Sequence, residues 1–225
     1  KSKNNGVDPQ ALIEQYAAET ARFYTMFPSP PTDTLEWSDE SVEGSYRFLK
    51  RVWTFAGRYS KATKSADADK QARFRIHSEL KQASYDMQRH QFNTVASACM
   101  KILNALEELD EWNATTTEGL SILLRLLSPI TPHIAHHLWR QLGFGEDIMK
   151  APWPEPDPKA VEQDEVELVV QVNGKLRGSI VVPKQADKAT IENLALSNAN
   201  VQRFVAGQHV KKVVVVPGRL VNLVV

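Results

Sequence analysis

Residues 26–53 read MFPSPPTDTLEWSDESVEGSYRFLKRVW. Pro28, Pro30 and Pro31 each lack an amide proton and push the preceding residue out of the helical region, so a helix arriving from the N-terminal side must end near Phe27. Ser38 and Asp39 then offer an N-cap, and Asp39, Glu40 and Glu43 put negative charge at the positive end of the next helix dipole. Val42, Tyr46, Leu49, Trp53 and Ala56 follow at helical spacing and predict one apolar stripe. Arg47, Lys50, Arg51, Arg58 and Lys61 fall on the roughly opposite face. Spacing leaves two readings of these bases open: an ordinary solvated face, or a row that neutralises a nucleic-acid backbone.

Upstream of this elbow, Asp8 caps a helix with Pro9 at its first position, and Ile13, Tyr16, Ala17 and Tyr24 give that helix an apolar face up to the prolines. Downstream, Ala66-Asp67-Ala68-Asp69 begins a third helix that carries Phe74, His77, Leu80, Lys81 and Tyr85 to near Arg89. Asn93 caps a fourth, with Val95, Ala98, Cys99, Ile102, Leu106 and Leu109 in register. Thr115-Thr116-Thr117-Glu118 has the capping-box form and opens a fifth, through Leu120, Leu123, Leu124 and Leu127 to the stop at Pro129. Thr131-Pro132 starts a sixth, which ends at Gly143. Six helices with short connections over 8–143 predict an antiparallel bundle. In the sixth, His133 and His137 have the spacing of a zinc helix, but Ile134 stands where HExxH needs its glutamate, and no nearby acid or cysteine completes a ligand set. The three histidines, His136 included, read as a polar helix face, and no metal is expected.

A connector, 144–164, follows, in which Pro152, Pro154, Pro156 and Pro158 predict an extended, stiff segment without helix, with Trp153 pinning it to the bundle. Net charge is zero, but its distribution is uneven: residues 143–167 carry −6 and residues 170–225 carry +6. A small basic module after an acidic connector points to a polyanion partner for the tail. In that module, 165–225, Val166, Leu168, Val170 and Val172 alternate with polar or outward residues, and so do Leu176, Gly178, Ile180 and Val182 after Asn173-Gly174. The apolar positions are even-numbered on both strands, and opposed residues share a face. Parity therefore predicts a three-residue loop with Gly174 at positive φ rather than a two-residue turn, with Gln171, Lys175 and Arg177 on the outer face. Helices over 188–196 and 201–205, the second closed by Gly207, and strands over 210–216 and 220–225 around a Pro217-Gly218 turn complete an α+β module of order β-β-α-α-β-β. The predicted fold class is thus mostly α, followed by this small α+β domain.

Composition is that of an ordinary globular chain of 225 residues, 42% apolar and 24% charged. No apolar run approaches the roughly 20 residues of a membrane span. The single Cys99 falls on an apolar stripe and suits a reducing compartment. With no leader pattern in the sequence as given, the expected location is the cytoplasm.

Several motifs together carry a family resemblance. Ser29-Pro30-Pro31, Leu35-Glu36-Trp37-Ser38, Val42-Glu43-Gly44 and Arg47-Phe48-Leu49 resemble the start of the helical tRNA-binding domain of bacterial leucyl-tRNA synthetases, class I aminoacyl-tRNA ligases. Leu127–Ile134 with Leu138-Trp139, and Ala151-Pro152-Trp153-Pro154, fit the same region. Val170–Gly178 and Val216–Val225 resemble the C-terminal module, the most leucine-specific part of the likeness. Lys1 and Ser2 match the last two letters of the KMSKS loop, so residues 1–7 resemble the end of that catalytic loop.

The resemblance implies the tRNA-binding C-terminal part of an enzyme that joins leucine to tRNA(Leu) using ATP, through leucyl-adenylate, as a cytoplasmic monomer. It implies an ATP-phosphate role for Lys1 beside Ser2, with ATP and magnesium as cofactors of the parent enzyme and none bound to this chain. No complete catalytic set, HIGH-type motif or editing domain is present, so the chain alone is expected to be inactive. The resemblance further implies that the bundle docks on the inner side of the tRNA, that the tail reaches the corner where the D- and T-loops meet, and that the anticodon is not read. The residues expected on RNA are Arg47, Arg51, Lys175, Arg177, Lys211, Lys212 and Arg219. The alternatives are the same region of an isoleucyl- or valyl-type enzyme, or a non-catalytic RNA-binding or interaction module.

Overall fold

Asp8 opens helix α1 (Pro9–Tyr16), where its carboxylate accepts from Gln10 N at 3.0 Å and Pro9 takes the first helical position. The computed structural model describes residues 6–59, 68–110, 112–162, 165–205, 210–216 and 218–225, in two compact units that part after residue 161. The expectations for Lys1, Ser2, Lys61, Ala66, Asp67, Gly207 and Pro217 lie outside the described residues.

The helical unit continues with α2 (Ala18–Met26), α3 (Asp39–Tyr59), α4 (Lys70–Gln88), α5 (Phe92–Glu107), α6 (Ala114–Leu127), α7 (Pro132–Gln141) and the single turn α8 (Pro158–Val161). The predicted first helix is in fact two. Ala17 breaks it with φ 70° and ψ 154°, so seven described helices, not six, lie between residues 8 and 143. No glycine or proline announces this break. It lets α2 turn Thr20, Phe23 and Tyr24 fully inward while α1 buries none of its residues.

In α3, Ser38 Oγ accepts from Ser41 N at 3.2 Å. The buried stripe is Val42, Ser45, Phe48, Leu49, Val52, Phe55 and Ala56; the predicted Tyr46 and Trp53 stand 38% and 47% exposed. Phe48 and Phe55 take the inward places, with Phe23 against Phe48 and Trp112 against Phe55. Tyr24 secures the elbow: its hydroxyl donates to Glu36 O at 2.8 Å and accepts from Ser38 N at 2.9 Å.

Two caps shift in frame. Helix α5 starts after Gln91 rather than Asn93. The capping box of α6 is Asn113 with Thr116, not Thr115 with Glu118: Thr116 N donates to Asn113 Oδ1 at 3.1 Å, and Asn113 N to Thr116 Oγ1 at 3.3 Å. The earlier frame wins because asparagine caps at least as well as threonine, and it releases Glu118 to face α4. Helix α7 borrows its cap: the Glu19 carboxylate of α2 accepts from His133 N at 2.6 Å and Ile134 N at 2.7 Å. The core between the helices is led by Leu80, Ile102, Leu103, Leu106, Leu120, Leu123 and Leu124.

The proline segment also departs from expectation, since a 3₁₀ turn (Ile148–Lys150) and α8 interrupt it. Proline is excluded from helix interiors, not from the first position, and Pro158 takes that position in α8. The segment is strapped to the helices. Trp153 Nε1 donates to Ser84 Oγ at 3.1 Å, Arg125 Nη1 to Pro152 O at 3.2 Å, and Asp157 N to His77 Nδ1 at 3.0 Å.

The second unit runs β1 (Glu165–Val172), β2 (Lys175–Pro183), α9 (Lys188–Ser197), α10 (Ala199–Val205), β3 (Lys212–Val216) and β4 (Leu220–Val224). Its mixed sheet has the order β2-β1-β4-β3, with β1 and β4 parallel and the other pairs antiparallel. Leu168, Val170, Ile180, Val182, Val221 and Leu223 form its core with Ile191, Ala195 and Val201 of the two helices.

The hairpin prediction is corrected. Val172 pairs directly with Lys175, and Asn173 and Gly174 form a two-residue turn with φ of 49° and 77°, the positive pair of a type I′ turn. The odd residue that parity demands lies in the strand instead. Val170 pairs with Gly178 and Gln171 with Leu176, which leaves Arg177 as a bulge. Beyond the bulge toward the tip the faces exchange: Lys175 shares a face with Val172, and Leu176 joins Gln171 outside, 65% exposed.

Candidate nucleic-acid interface

Helix α3 gathers Arg47, Lys50, Arg51 and Arg58 along one shallow groove, with Thr54 between them and Glu107 of α5 on its edge. Arg47 pairs with Glu43 one turn earlier, at 2.9 Å, with both side chains more than half exposed. Arg51 donates to Asn104 Oδ1 at 2.7 Å and makes a short contact with Glu107. The Arg58 guanidinium lies over the Phe55 ring at 5.6 Å. Exposed ion pairs of this kind contribute about 0–1 kcal/mol. A phosphate can therefore displace Glu43 or Glu107 at little cost, with the hydrogen bond from Arg51 to Asn104 left in place.

In the tail unit, Lys175, Lys211 and Lys212 lie toward one end of the sheet but at its opposite edges, Lys175 on β2 and the other two at the start of β3, with β1 and β4 between them. Lys175 follows the Asn173-Gly174 turn, Lys211 N donates to Val224 O at 2.8 Å, Lys212 opposes Val224, and Val225 N donates to Asn173 Oδ1 at 3.1 Å. Arg219 lies toward the other end: its carbonyl accepts from Val169 N at 3.2 Å, just before β4. Arg177 does not lie free on the outer face. Its guanidinium stacks over Phe204 of α10 at 3.8 Å, and its Nε is buried without a hydrogen-bond partner among the described residues. Sequence reasoning missed both Phe204 and the exposed Leu176; the parity mismatch was the signal, and it pointed to the bulge rather than the loop.

The histidines of α7 face three ways. His133 meets Glu19, His136 lies 3.8 Å from Asp147 Oδ1, and His137 stacks on Trp53 at 5.0 Å. Cys99 is fully buried, and burial pushes its thiol pKa up, away from reactivity.

A further cluster escaped the sequence. Arg73 donates to both Glu118 oxygens, at 2.6 and 2.9 Å, and to Asp157 at 2.9 Å, while His77 Nε2 lies 3.0 Å from Glu118. The hydrogen bond from Arg73, then that from His77, holds the Glu118 carboxyl down at about 2. Arg73 likewise lowers the Asp157 carboxyl. This cluster ties α4, α6 and the proline segment together. No helix among the described residues is long and apolar enough to cross a membrane.

A family model described as "Anticodon-binding domain of tRNA ligase" matches residues 69–192, from α4 into α9. Curated leucine–tRNA ligases match the entire chain. That of Azoarcus sp. is 55% identical over 243 aligned positions, that of Herminiimonas arsenicoxydans 56% over 241, and that of Coxiella burnetii 52% over 242. The chain spans only 28%, 27% and 30% of their respective lengths. A crystal structure of the ternary complex of Agrobacterium radiobacter LeuRS, tRNA and LeuAMS superposes with a TM-score of 0.80 over the whole chain and 31% of that protein, at 24% identity, a likeness of fold. The chain belongs to the anticodon-binding domain family of tRNA ligases.

Proposed function

We propose that this chain is the tRNA-binding C-terminal part of a leucine–tRNA ligase, the enzyme that joins leucine to tRNA(Leu) with ATP and magnesium through leucyl-adenylate. The observation that carries this reading is identity of 52–56% to leucine–tRNA ligases along the full chain, tail included. Catalysis and editing belong to parts of the parent enzyme outside this chain, which works in the cytoplasm as a monomer. The ATP-phosphate role falls to Lys1, beside Ser2.

Within the chain, Arg47 and Arg51 on α3 and Lys175, Lys211 and Lys212 at the sheet end bind the RNA backbone. Shape and phosphate contacts suffice there, because helical RNA hides its base edges in a deep, narrow groove. Arg219 makes a separate contact, and Arg177 presents its guanidinium as a plane on Phe204 rather than as an extended charge.

The test is a salt titration of tRNA(Leu) binding to the chain. Replacing Arg47 and Arg51, or the three lysines, with glutamine should weaken binding and flatten the dependence of log K on log salt by about one unit for each phosphate no longer neutralised. Unchanged affinity and slope would remove that surface from the interface.

A further inference from the structure

Beside the basic groove of α3 runs an apolar one. Tyr46, Leu49 and Trp53 form its α3 side, Tyr16 closes one end, and Ile134 and His137 of α7 form the opposite wall. Its volume of about 470 Å³ lies within the range of small-ligand clefts. Tyr46 and Trp53 are large hydrophobic side chains that α3 holds outside its core stripe. They are held in place: Trp53 stacks on His137 at 5.0 Å and an interplanar angle of 17°, and Tyr46 meets Tyr16 edge-on at 5.7 Å. Tyr16 reaches this position at the break where Ala17 adopts φ 70°, a conformation a non-glycine residue keeps only when its surroundings impose it.

The position of Lys50 connects the two grooves, since it lines both. Glu19 also lines this groove, with its carboxylate accepting from the amides of α7, while Lys50 brings an ammonium to it. An aromatic platform continuous with a row of bases is the composition of single-strand nucleic-acid sites, where bases stack on aromatic rings and phosphates meet lysine or arginine.

We propose that the Tyr46–Trp53 groove takes one unpaired nucleobase of the RNA whose backbone lies on Arg47 and Arg51, stacked on the exposed ring of Trp53, with Lys50 on the adjoining phosphate. This rests on the RNA-binding reading above and adds a contact of a different kind: stacking is insensitive to salt, whereas phosphate contacts are not.

The experiment titrates the chain with tRNA(Leu) at several salt concentrations. Trp53→Ala should bind about five- to a hundredfold more weakly than wild type with an unchanged salt slope, whereas Arg51→Gln should flatten the slope. Trp53→Phe keeps a stacking surface and the fold; it should retain most of the affinity while losing the part of the RNA-induced tryptophan quenching that Trp53 supplies. Wild-type affinity in Trp53→Ala, or identical quenching in Trp53→Phe, would overturn the proposal and leave the groove to another protein segment. Arginine variants that change the slope would still uphold the RNA-binding reading in that case. Absence of RNA binding by the wild type would sink both.

Discussion

Glu118 joins α6 to α4 through three contacts, two with Arg73 and one with His77. His77 Nδ1 accepts from Asp157 N, so its proton sits on Nε2 and points at Glu118. The carboxyl is held near 2, below its unfolded value of about 4.3. A depressed folded value means that the stabilisation is fully present above the unfolded value and fades as pH falls from there toward 2. Glu118→Gln should destabilise the chain at pH 7 by about 1–2 kcal/mol, discounted because the side chain keeps some solvent contact. The gap to wild type in urea melts should close on acidification between about pH 4.3 and 2. At Ala17 the sign is opposite: glycine adopts φ 70° freely, so Ala17→Gly should stabilise by about 1 kcal/mol and raise Tm. Neither residue could be singled out from sequence. Glu118 reads as the end of a capping box until Asn113 is seen to hold the cap, and Ala17 sits between good helix formers.

Among the elements, those with local signals were legible. Asp8-Pro9, the elbow prolines and Asp69 act where their chemistry places them, and Asp69 accepts from Ala72 N at 2.7 Å. Position along a helix was read well and rotation about it less so: Tyr46 and Trp53 belong to the same periodicity as Val42 and Leu49, and only packing against α2 and α5 selected Phe48, Val52 and Phe55 instead. The cap of α7 was illegible in principle, because Glu19 lies 114 residues from His133. Glu19→Gln weakens two charge-assisted bonds to amides at a helix N-terminus, and should cost about 1–2 kcal/mol in denaturant melts, with exchange accelerated first at His133 and Ile134. In the hairpin, Gly174→Ala places a Cβ at φ 77° and should destabilise the tail by about 1–2 kcal/mol, read as faster amide exchange in β1 and β2.

Across the whole molecule, two closed cores share one chain. Leu103 is fully buried in the helical core and Val170 in the tail core. Leu103→Ala should remove about 2–5 kcal/mol from the helical unit, and exchange protection at Val170 and Val221 should remain at its wild-type level. The charge asymmetry seen in the sequence survives as geometry only in part. Lys175, Lys211 and Lys212 share one end of the sheet because the turn, the start of β3 and the end of β4 lie there, although two strands separate Lys175 from the other two. Arg219 and Arg177 do not join them, for one lies just before β4 and the other is stacked on Phe204. Arg47 and Arg51 were legible as a helical row, but their partners Asn104 and Glu107 lie on another helix, and no local pattern names them.

The bulge at Arg177 also bears on how such a chain can change over generations. An unopposed residue is a spare one: excising it closes the ladder into a plain two-residue hairpin and leaves every pair from Val170–Gly178 to Glu165–Pro183 where it was. A single-codon loss there is absorbed, whereas one at Ile180 throws the apolar side of β2 into water. Length variation of one residue should therefore accumulate at this tip, at the expense of the Phe204 stack alone, while the rest of the strand admits none.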